Sequence, residues 1–370
     1  MNVLVTGADG FIGKNLLVHL RELEGTAVST FTRHDDISVL AEKVAQADFV
    51  FHLAGINRPQ DPQEFTSGNV DLTRALADAV RASGKQIPLL YTSSSQASLE
   101  NAYGVSKRGA EQALEQLAEA SGSPVYLFRL PNVFGKWARP NYNSAVATFC
   151  HNIARDLPIK INDPAAPVSL VYIDDVIRVF LEVMRGEHVG KSFVDVQPQY
   201  NATVGEIAEH LRAFQASRNN LITEPVGTGF VRALYSTYVS YLPEDRFTYE
   251  VPKYGDERGV FVEMLKTRDS GQFSYFTAHP GVTRGGHYHH TKTEKFLVIK
   301  GNANFRFRHM VSGEFYELQT SGDKPVVVET VPGWTHDITN IGDEEMVVML
   351  WANEIFDREL PDTYAKPLNA

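Results

Sequence analysis

The chain has one cysteine, Cys150, in 370 residues, so no disulfide can form within it. That scarcity fits a reducing compartment, and Cys150 itself reads as a small buried hydrophobe. Basic residues are in deficit: 35 Lys and Arg stand against 45 Asp and Glu, a net charge of −10. Sequence-independent nucleic-acid binding and attachment to anionic membranes both need basic patches, so neither is expected. Long apolar runs are also lacking. The start, Met1-Asn2-Val3-Leu4-Val5-Thr6-Gly7, is too short an apolar run for a secretory signal and carries no basic residue. Nowhere does the chain reach the roughly 20 apolar residues of a membrane span, and a cytoplasmic location is expected. Internal repeats and low-complexity tracts are absent too. What remains is a globular composition, 43% hydrophobic and 22% charged, in a chain long enough for two hydrophobic cores.

Two textures divide it. In residues 1–243, strand-like runs (Val3–Val5, Phe49–Leu53, Leu89–Thr92, Val125–Phe128) alternate with helix-like stretches (Gly13–Glu24, Asp71–Ala82, Ala102–Ala120). That alternation predicts an α/β fold, a Rossmann-type doubly wound parallel sheet with helices on both faces. Leu242-Pro243-Glu244-Asp245 reads as a linker. Beyond it, residues 252–370 hold short β-rich runs with frequent turns, among them Gly259–Glu263, Gln272–Phe276, Lys295–Ile299, Asn304–Phe307 and Met346–Leu350. Many short strands without helices predict an all-β sandwich or small barrel.

The first candidate site is the glycine loop. Gly7-Ala8-Asp9-Gly10-Phe11-Ile12-Gly13 runs straight from a strand into a helix. Glycines at these spacings permit a tight turn, close approach of backbone to a pyrophosphate and close helix packing, and the amides of the helix start favour phosphate. Gly7, Asp9, Gly10, Phe11, Ile12 and Gly13 are therefore cofactor-binding candidates. An NAD-binding site expects an acidic residue at the end of the second strand. Arg33 stands there, and an arginine can pair with a 2′-phosphate, which favours NADPH, while Asp35 and Asp36 keep NAD open. Leu53 and Ala54, in His52-Leu53-Ala54-Gly55, end the next strand where the chain would pass under the cofactor.

The second candidate site is built on hydroxyls and one lysine. Tyr103 and Lys107 sit at i and i+4 on one helical face. A phenol has a pKa of about 10. A neighbouring ammonium and the charge of a bound nicotinamide are expected to lower it, which would make Tyr103 a general acid at neutral pH. Thr92-Ser93-Ser94-Ser95 follows a strand and offers a hydroxyl to a substrate carbonyl.

Taken in order, Thr6-Gly7-x-x-Gly10-x-x-Gly13, His52-Leu53-Ala54-Gly55, Gly68-Asn69-Val70, Ser93-Ser94-Ser95, Tyr103-x-x-x-Lys107, Arg129-x-Pro131-Asn132-Val133-Phe134-Gly135 and Val171-Tyr172-Ile173-Asp174-Asp175-Val176 resemble an extended short-chain dehydrogenase/reductase. The resemblance implies that Tyr103 donates a proton, Lys107 holds the nicotinamide ribose and Ser94 polarises the carbonyl; the run of four hydroxyls leaves a one-residue shift open. Asp174-Asp175 reads as a helix cap, and Trp137 and Trp334 read as cleft lining or as core.

The third candidate site is histidine-rich: Gly281-x5-His287-Tyr288-His289-x4-Glu294-x6-Gly301, then Pro332-Gly333-Trp334-Thr335-His336-x3-Asn340. On a strand, His287 and His289 share a face; an adjacent strand can add Glu294 and a later hairpin His336. Three imidazoles and a carboxylate suit a divalent transition metal such as Zn, Fe, Mn or Ni, zinc being favoured. The spacing is similar to the two motifs of a cupin, a jelly-roll barrel, the second motif only approximately. His290, directly adjacent to His289, competes as a ligand; it would point to the opposite face of an ideal strand, which suits a place behind the ligands or facing substrate. A metal-free cupin working by acid–base chemistry is the alternative.

A reductase joined to such a domain, with Phe134-Gly135-Lys136-Trp137, Pro140-Asn141-Tyr142-Asn143-Ser144, His289-His290-Thr291-Lys292-x-Glu294-Lys295-Phe296 and Trp351-x-Asn353-Glu354-x-Phe356-Asp357, resembles the bifunctional homodimeric enzymes of bacterial capsule and O-antigen precursor synthesis. That resemblance implies C3 epimerisation of a UDP-2-acetamido-2,6-dideoxy-4-hexulose in the cupin, with His290, a tyrosine or a lysine as base. NADPH-dependent reduction at C4 would follow, giving UDP-N-acetyl-6-deoxy-L-talosamine on the way to UDP-N-acetyl-L-fucosamine. A plain 4-ketosugar reductase with a structural metal domain competes with this reading. So does a non-catalytic NADP sensor, against which the intact Tyr103, Lys107 and serine run speak.

Overall fold

The computed structural model describes residues 1–59, 61, 63–190, 192–251, 253–256, 259–262, 265–267, 271–354 and 359–368. Glu263, Phe356 and Asp357, each part of a motif named above, lie outside the described residues.

Five parallel strands form the N-terminal sheet: β1 (Asn2–Thr6), β2 (Ala27–Phe31), β3 (Phe49–His52), β4 (Leu89–Ser94) and β5 (Val125–Leu130), in the order β2-β1-β3-β4-β5. Apart from Asn2, every residue of β1, β3 and β4 is buried, as a strand covered on both faces requires. Leu4, Val50, Leu89 and Leu127 of the sheet join Leu40, Val44, Leu76, Val80, Leu114 and Leu117 of the helices in one core. The chain reverses its direction of winding between β1 and β3, and a crevice at the C-terminal ends of the strands opens at such a switch point.

The helices keep close to their expected places. The first spans Phe11–Arg21 and the third-strand crossover ends in Leu72–Ala82. The helix bearing Tyr103 spans Ala102–Ser121; the Asn101 side chain accepts from Gly104 N at its start, and left-handed Gly122 ends it. Asp174 departs from expectation. Tyr172 holds the cap position without a side-chain bond, and Asp174 and Asp175 stand in the first turn. The Asp174 carboxylate meets His19 Nε2 at 3.2 Å.

By compactness the chain divides into Met1–Phe134 with Val168–Asn201, and Gly135–Pro167 with Ala202–Ala370. The second unit holds helices Ala145–Ile153, Val204–Asn220 and Gly229–Val239 beside two antiparallel five-stranded sheets. One sheet runs Thr248–Glu250, Val326–Glu329, Glu294–Lys300, Met346–Ala352, Gln272–Ala278; the other runs Phe315–Ser321, Asn302–His309, Trp334–Asn340, Thr283–Tyr288, Tyr364–Ala365. Their inner faces share a core: the rings of Phe296 and Phe305, one from each sheet, lie 5.8 Å apart. Ala303, Phe305 and Phe307 alternate inward along one strand. Trp334 packs its ring on Phe247 at 5.2 Å and is core.

Charge explains why the helices at 204–239 group with the β-rich half. Glu329 is fully buried between Arg218 of the Val204–Asn220 helix and Lys295 of a sheet strand, both bonded to its carboxylate. Tyr249 lies under the Arg218 guanidinium, 4.4 Å from the ring centre, and its hydroxyl accepts from Lys295 at 3.1 Å. Breaking such a buried network by removing one partner costs roughly 3–5 kcal/mol, so helix and sheet are held as one body. Among the described residues no helix is long and apolar enough to cross a membrane.

Candidate functional sites

The glycine loop occupies the switch point. Gly7 has φ +68°, and a Cβ there would lie 2.6 Å from Ala54 N and 2.8 Å from the Leu53 carbonyl carbon. Loop and β3 exit therefore meet backbone to backbone, and only glycine fits. A Cβ on Gly13 would fall 2.4 Å from Gly7 O, so the helix start presses on the turn. The first turn carries no acidic residue and Gly10 brings no capping side chain, which leaves this helix start suited to an anion. Asp9 is exposed, while Phe11 and Ile12 are half-buried.

After β2, Arg33 is exposed, its Nε donating to His34 Nε2 at 3.4 Å. Asp35 is engaged in its own loop: it accepts from Thr32 N at 2.8 Å, Thr32 Oγ1 at 2.9 Å and Lys43 Nζ at 2.7 Å. The Lys43 and Thr32 hydrogen bonds hold its pKa down, at about 2. Asp36 accepts from Ser38 N. Both acids are thus occupied by local partners, and the arginine faces solvent. His52 bridges Thr6 Oγ1 (2.7 Å) and Thr73 Oγ1 (2.8 Å), and burial drives its pKa to about 3. It is a neutral strut beneath the loop.

Ser94, Tyr103 and Lys107 come together at the C-terminal end of β4. The Ser94 hydroxyl stands beside the Tyr103 phenol, whose pKa it lowers, and accepts from Gln96 N at 3.2 Å. Its neighbours do not compete: Ser95 is exposed, and the buried Ser93 Oγ has no partner among the described residues. Lys107 is buried, donates to Thr92 O at 2.8 Å, and lies 6.0 Å from the Tyr103 ring centre. Burial lowers its pKa to about 8. Burial raises the pKa of the Tyr103 phenol, and the Ser94 hydroxyl offsets this only in part. The protein alone therefore keeps Tyr103 protonated at neutral pH, the form a proton donor needs. Asn69 belongs to this group without having been singled out. Its Nδ2 donates to Ser106 Oγ at 3.0 Å and to Ile56 O at 3.0 Å, and its Oδ1 accepts from Ile56 N at 2.8 Å. It ties the β3 exit to the Tyr103 helix, a long-range role that Gly68-Asn69-Val70 alone does not reveal.

In the second unit, ligand atoms of His287, His289, Glu294 and His336 all lie within 4.8 Å of one another. A bulge between Gly285 and His287 re-aims the strand, and His287 then pairs directly across from His336. His289 follows the strand end. Glu294 comes not from an adjacent strand, as the spacing suggested, but from the opposite sheet, so the cluster bridges the sandwich. His289 Nε2 lies 3.1 Å and His336 Nε2 3.8 Å from Glu294 Oε2. Burial would raise the Glu294 pKa, but His289 and Lys292 outweigh it and hold the carboxyl well below its usual range. Burial lowers His287 to about 4 and His336 well below its ordinary value. Neutral imidazoles around an ionised carboxylate are the states that bind a metal. Among the described residues both ring nitrogens of His336 are buried without a close hydrogen-bond partner, and a ligated ion would satisfy one of them. The His290 ring turns elsewhere, packing on Tyr288 at 5.5 Å and Tyr364 at 5.0 Å. Asp362 was not foreseen at all. Its backbone carbonyl meets His289 Nδ1, and its carboxylate accepts three successive backbone amides, those of His290, Thr291 and Lys292.

Comparison with known proteins follows this division. A family model described as NAD dependent epimerase/dehydratase matches residues 3–196, and one described as polysaccharide biosynthesis C-terminal domain matches residues 254–364. A UDP-2-acetamido-2,6-beta-L-arabino-hexul-4-ose reductase from Pseudomonas aeruginosa is 64% identical over 365 residues, 99% of this chain and 98% of the relative. The crystal structure of capsular polysaccharide assembling protein CapF from Staphylococcus aureus is 42% identical, with a TM-score of 0.69 over 99% of this chain and 100% of that one. A UDP-glucuronic acid 4-epimerase from Bacillus cereus in complex with NAD shares 21% identity over 58% of this chain and 85% of its own, with a TM-score of 0.52; this likeness is one of fold.

Proposed function

Because the chain belongs to the NAD-dependent epimerase/dehydratase family, as a nucleotide-sugar 4-keto reductase/epimerase related to capsular polysaccharide synthesis, we propose that it carries two successive activities on one UDP-sugar. The C-terminal domain, read as a cupin, epimerises C3 of a UDP-2-acetamido-2,6-dideoxy-4-hexulose. The N-terminal domain then reduces the C4 ketone to give UDP-N-acetyl-6-deoxy-L-talosamine. The observation that carries this reading is the presence of two side-chain clusters, Ser94–Tyr103–Lys107 at the end of β4 and His287–His289–Glu294–His336 with ligand atoms within 4.8 Å of one another.

In the reductase half, NADPH supplies the hydride that arrives at C4. Ser94 hydrogen-bonds the ketone oxygen, and Tyr103 gives that oxygen its phenolic proton as the C–H bond forms. The Lys107 ammonium binds the nicotinamide ribose and holds the phenol in place. The helix start at Gly10–Gly13 would hold the pyrophosphate, and Leu53 and Ala54 would line the path under the cofactor. Arg33 takes the 2′-phosphate. Its exposure and the engagement of Asp35 and Asp36 support NADPH over NADH. Removing a charge-assisted contact of about 1.5–3 kcal/mol should raise the KM for NADPH roughly 10–100-fold in Arg33→Ala, with the KM for NADH nearly unchanged. Equal losses with both cofactors would move the phosphate contact elsewhere.

In the other half, the C4 ketone acidifies the C3 proton. His287, His289, Glu294 and His336 would hold a divalent ion, zinc by the nature of the donor set, which would stabilise negative charge on the ketone oxygen. A base removes the C3 proton and it is returned on the opposite face, with no net change of atoms; His290 is one candidate. The test is solvent deuterium at C3 in D2O, with and without NADPH. Exchange without NADPH, together with NADPH-dependent reduction, is the expected result. Reduction with no exchange would leave a 4-ketosugar reductase beside a structural domain.

A further inference from the structure

Residues 362–366 run alongside the histidine cluster and bond to the elements that carry it. Tyr364–Ala365 forms a short edge strand on Thr283–Tyr288, pairing Tyr364 with Tyr288 and Ala365 with His287. Lys366 N donates to Gly286 O at 2.7 Å, and Thr335 Oγ1, one residue before His336, donates to Lys366 O. Lys292 Nζ donates to Thr363 Oγ1 at 2.8 Å. The residue with most of the bonding is Asp362. One carboxylate oxygen accepts from His290 N at 2.9 Å; the other accepts from Thr291 N at 2.7 Å, Lys292 N at 2.7 Å and Thr291 Oγ1 at 2.9 Å. The carbonyl of the same residue meets His289 Nδ1.

These contacts have one geometric consequence. Residues 289–293 leave one sheet at His289 and enter the other at Glu294, so this linker sets the separation of two of the four clustered side chains. Three consecutive amides pointing at one carboxylate fix its backbone. The contact of Nδ1 with the Asp362 carbonyl orients the His289 ring so that Nε2 lies 3.1 Å from Glu294 Oε2. We propose that Asp362 is a positioning residue that pre-forms the ligand loop, holding His289 and Glu294 at ligating separation before an ion arrives. The proposal rests on the metal reading of the cluster for its purpose, but its physical content is the order of a loop in the metal-free protein.

The test uses full-length wild type, Asp362→Ala and Asp362→Asn, each metal-stripped and then loaded with Co2+ alone. In the stripped proteins, hydrogen exchange at the amides of residues 290–292 should accelerate at least about tenfold in Asp362→Ala, with Asp362→Asn intermediate because it keeps one acceptor oxygen. In the loaded proteins, Co2+ should leave to a chelator about 10–100-fold faster in Asp362→Ala, the range expected for an outer-shell partner, and its visible ligand-field bands should change. General loosening of the fold would leave those bands unaltered and would accelerate exchange along Asn302–His309 as well. Unchanged exchange at 290–292 overturns the proposal whether or not Co2+ binds. Wild type that protects these amides but takes up no Co2+ would overturn the metal reading and leave the pre-formed loop standing.

Discussion

Tyr103→Phe should reduce the rate of ketone reduction by about 10²–10⁴-fold, the usual worth of a positioned general acid, while NADPH binding measured by fluorescence stays within about twofold. The asymmetry follows from the site. The phenol stands beside Ser94 and is only half-buried, so its deletion leaves Lys107, the glycine loop and the helix start in place. Tyr103→Phe should therefore lower kcat far more than it raises KM, since the proton is needed only as charge develops on oxygen. The pH profile should separate the two groups. Burial lowers Lys107 to about 8, so kcat/KM should fall as pH rises through that value and the ammonium is lost. Burial raises Tyr103, so the phenol remains protonated across the same range and does not set that limb. Lys107→Arg, which stays charged, should move the limb upward; an unmoved limb would assign it to another group.

The parts of the fold that could be read from the chain are those whose cause is local. Strand–loop–helix at Val3–Gly13 needs only adjacent residues, and the parallel sheet follows from alternation. Tyr103 and Lys107 share a helical face whatever surrounds them. The unread parts depend on partners far apart in the chain. Arg218 and Glu329 are 111 residues apart, and nothing near Arg218 signals that its helix is fastened to a sheet strand. Glu294 was placed on a neighbouring strand because five residues from His289 suffice for a hairpin; the chain instead crosses between sheets. Spacing places the lysine beside the phenol but does not reveal the burial that raises the phenol's pKa in the protein alone. Asp362 carried no signal, since a lone aspartate in a polar stretch becomes meaningful only when three amides converge on it.

Removing the ion should separate the two activities. In metal-stripped wild type and in His336→Ala, deuterium exchange at C3 should drop by about 10³-fold, the scale of several kcal/mol of charge stabilisation by a Lewis acid. Reduction of a ketone already epimerised at C3 should stay within about threefold. His336 is the informative ligand because, among the described residues, neither of its ring nitrogens has a close hydrogen-bond partner. Its loss disturbs less of the surroundings than His289→Ala, which would also free the Asp362 carbonyl. Re-addition of Zn2+ should restore exchange in the stripped wild type and not in the variant. Two other results carry distinct meanings. Exchange that persists in stripped protein with an unchanged melting temperature would assign C3 chemistry to side chains alone, with the His290–Tyr288–Tyr364 group as its place. Exchange that is lost only as far as the second unit melts would make the ion a structural brace between the two sheets that Glu294 and His336 join.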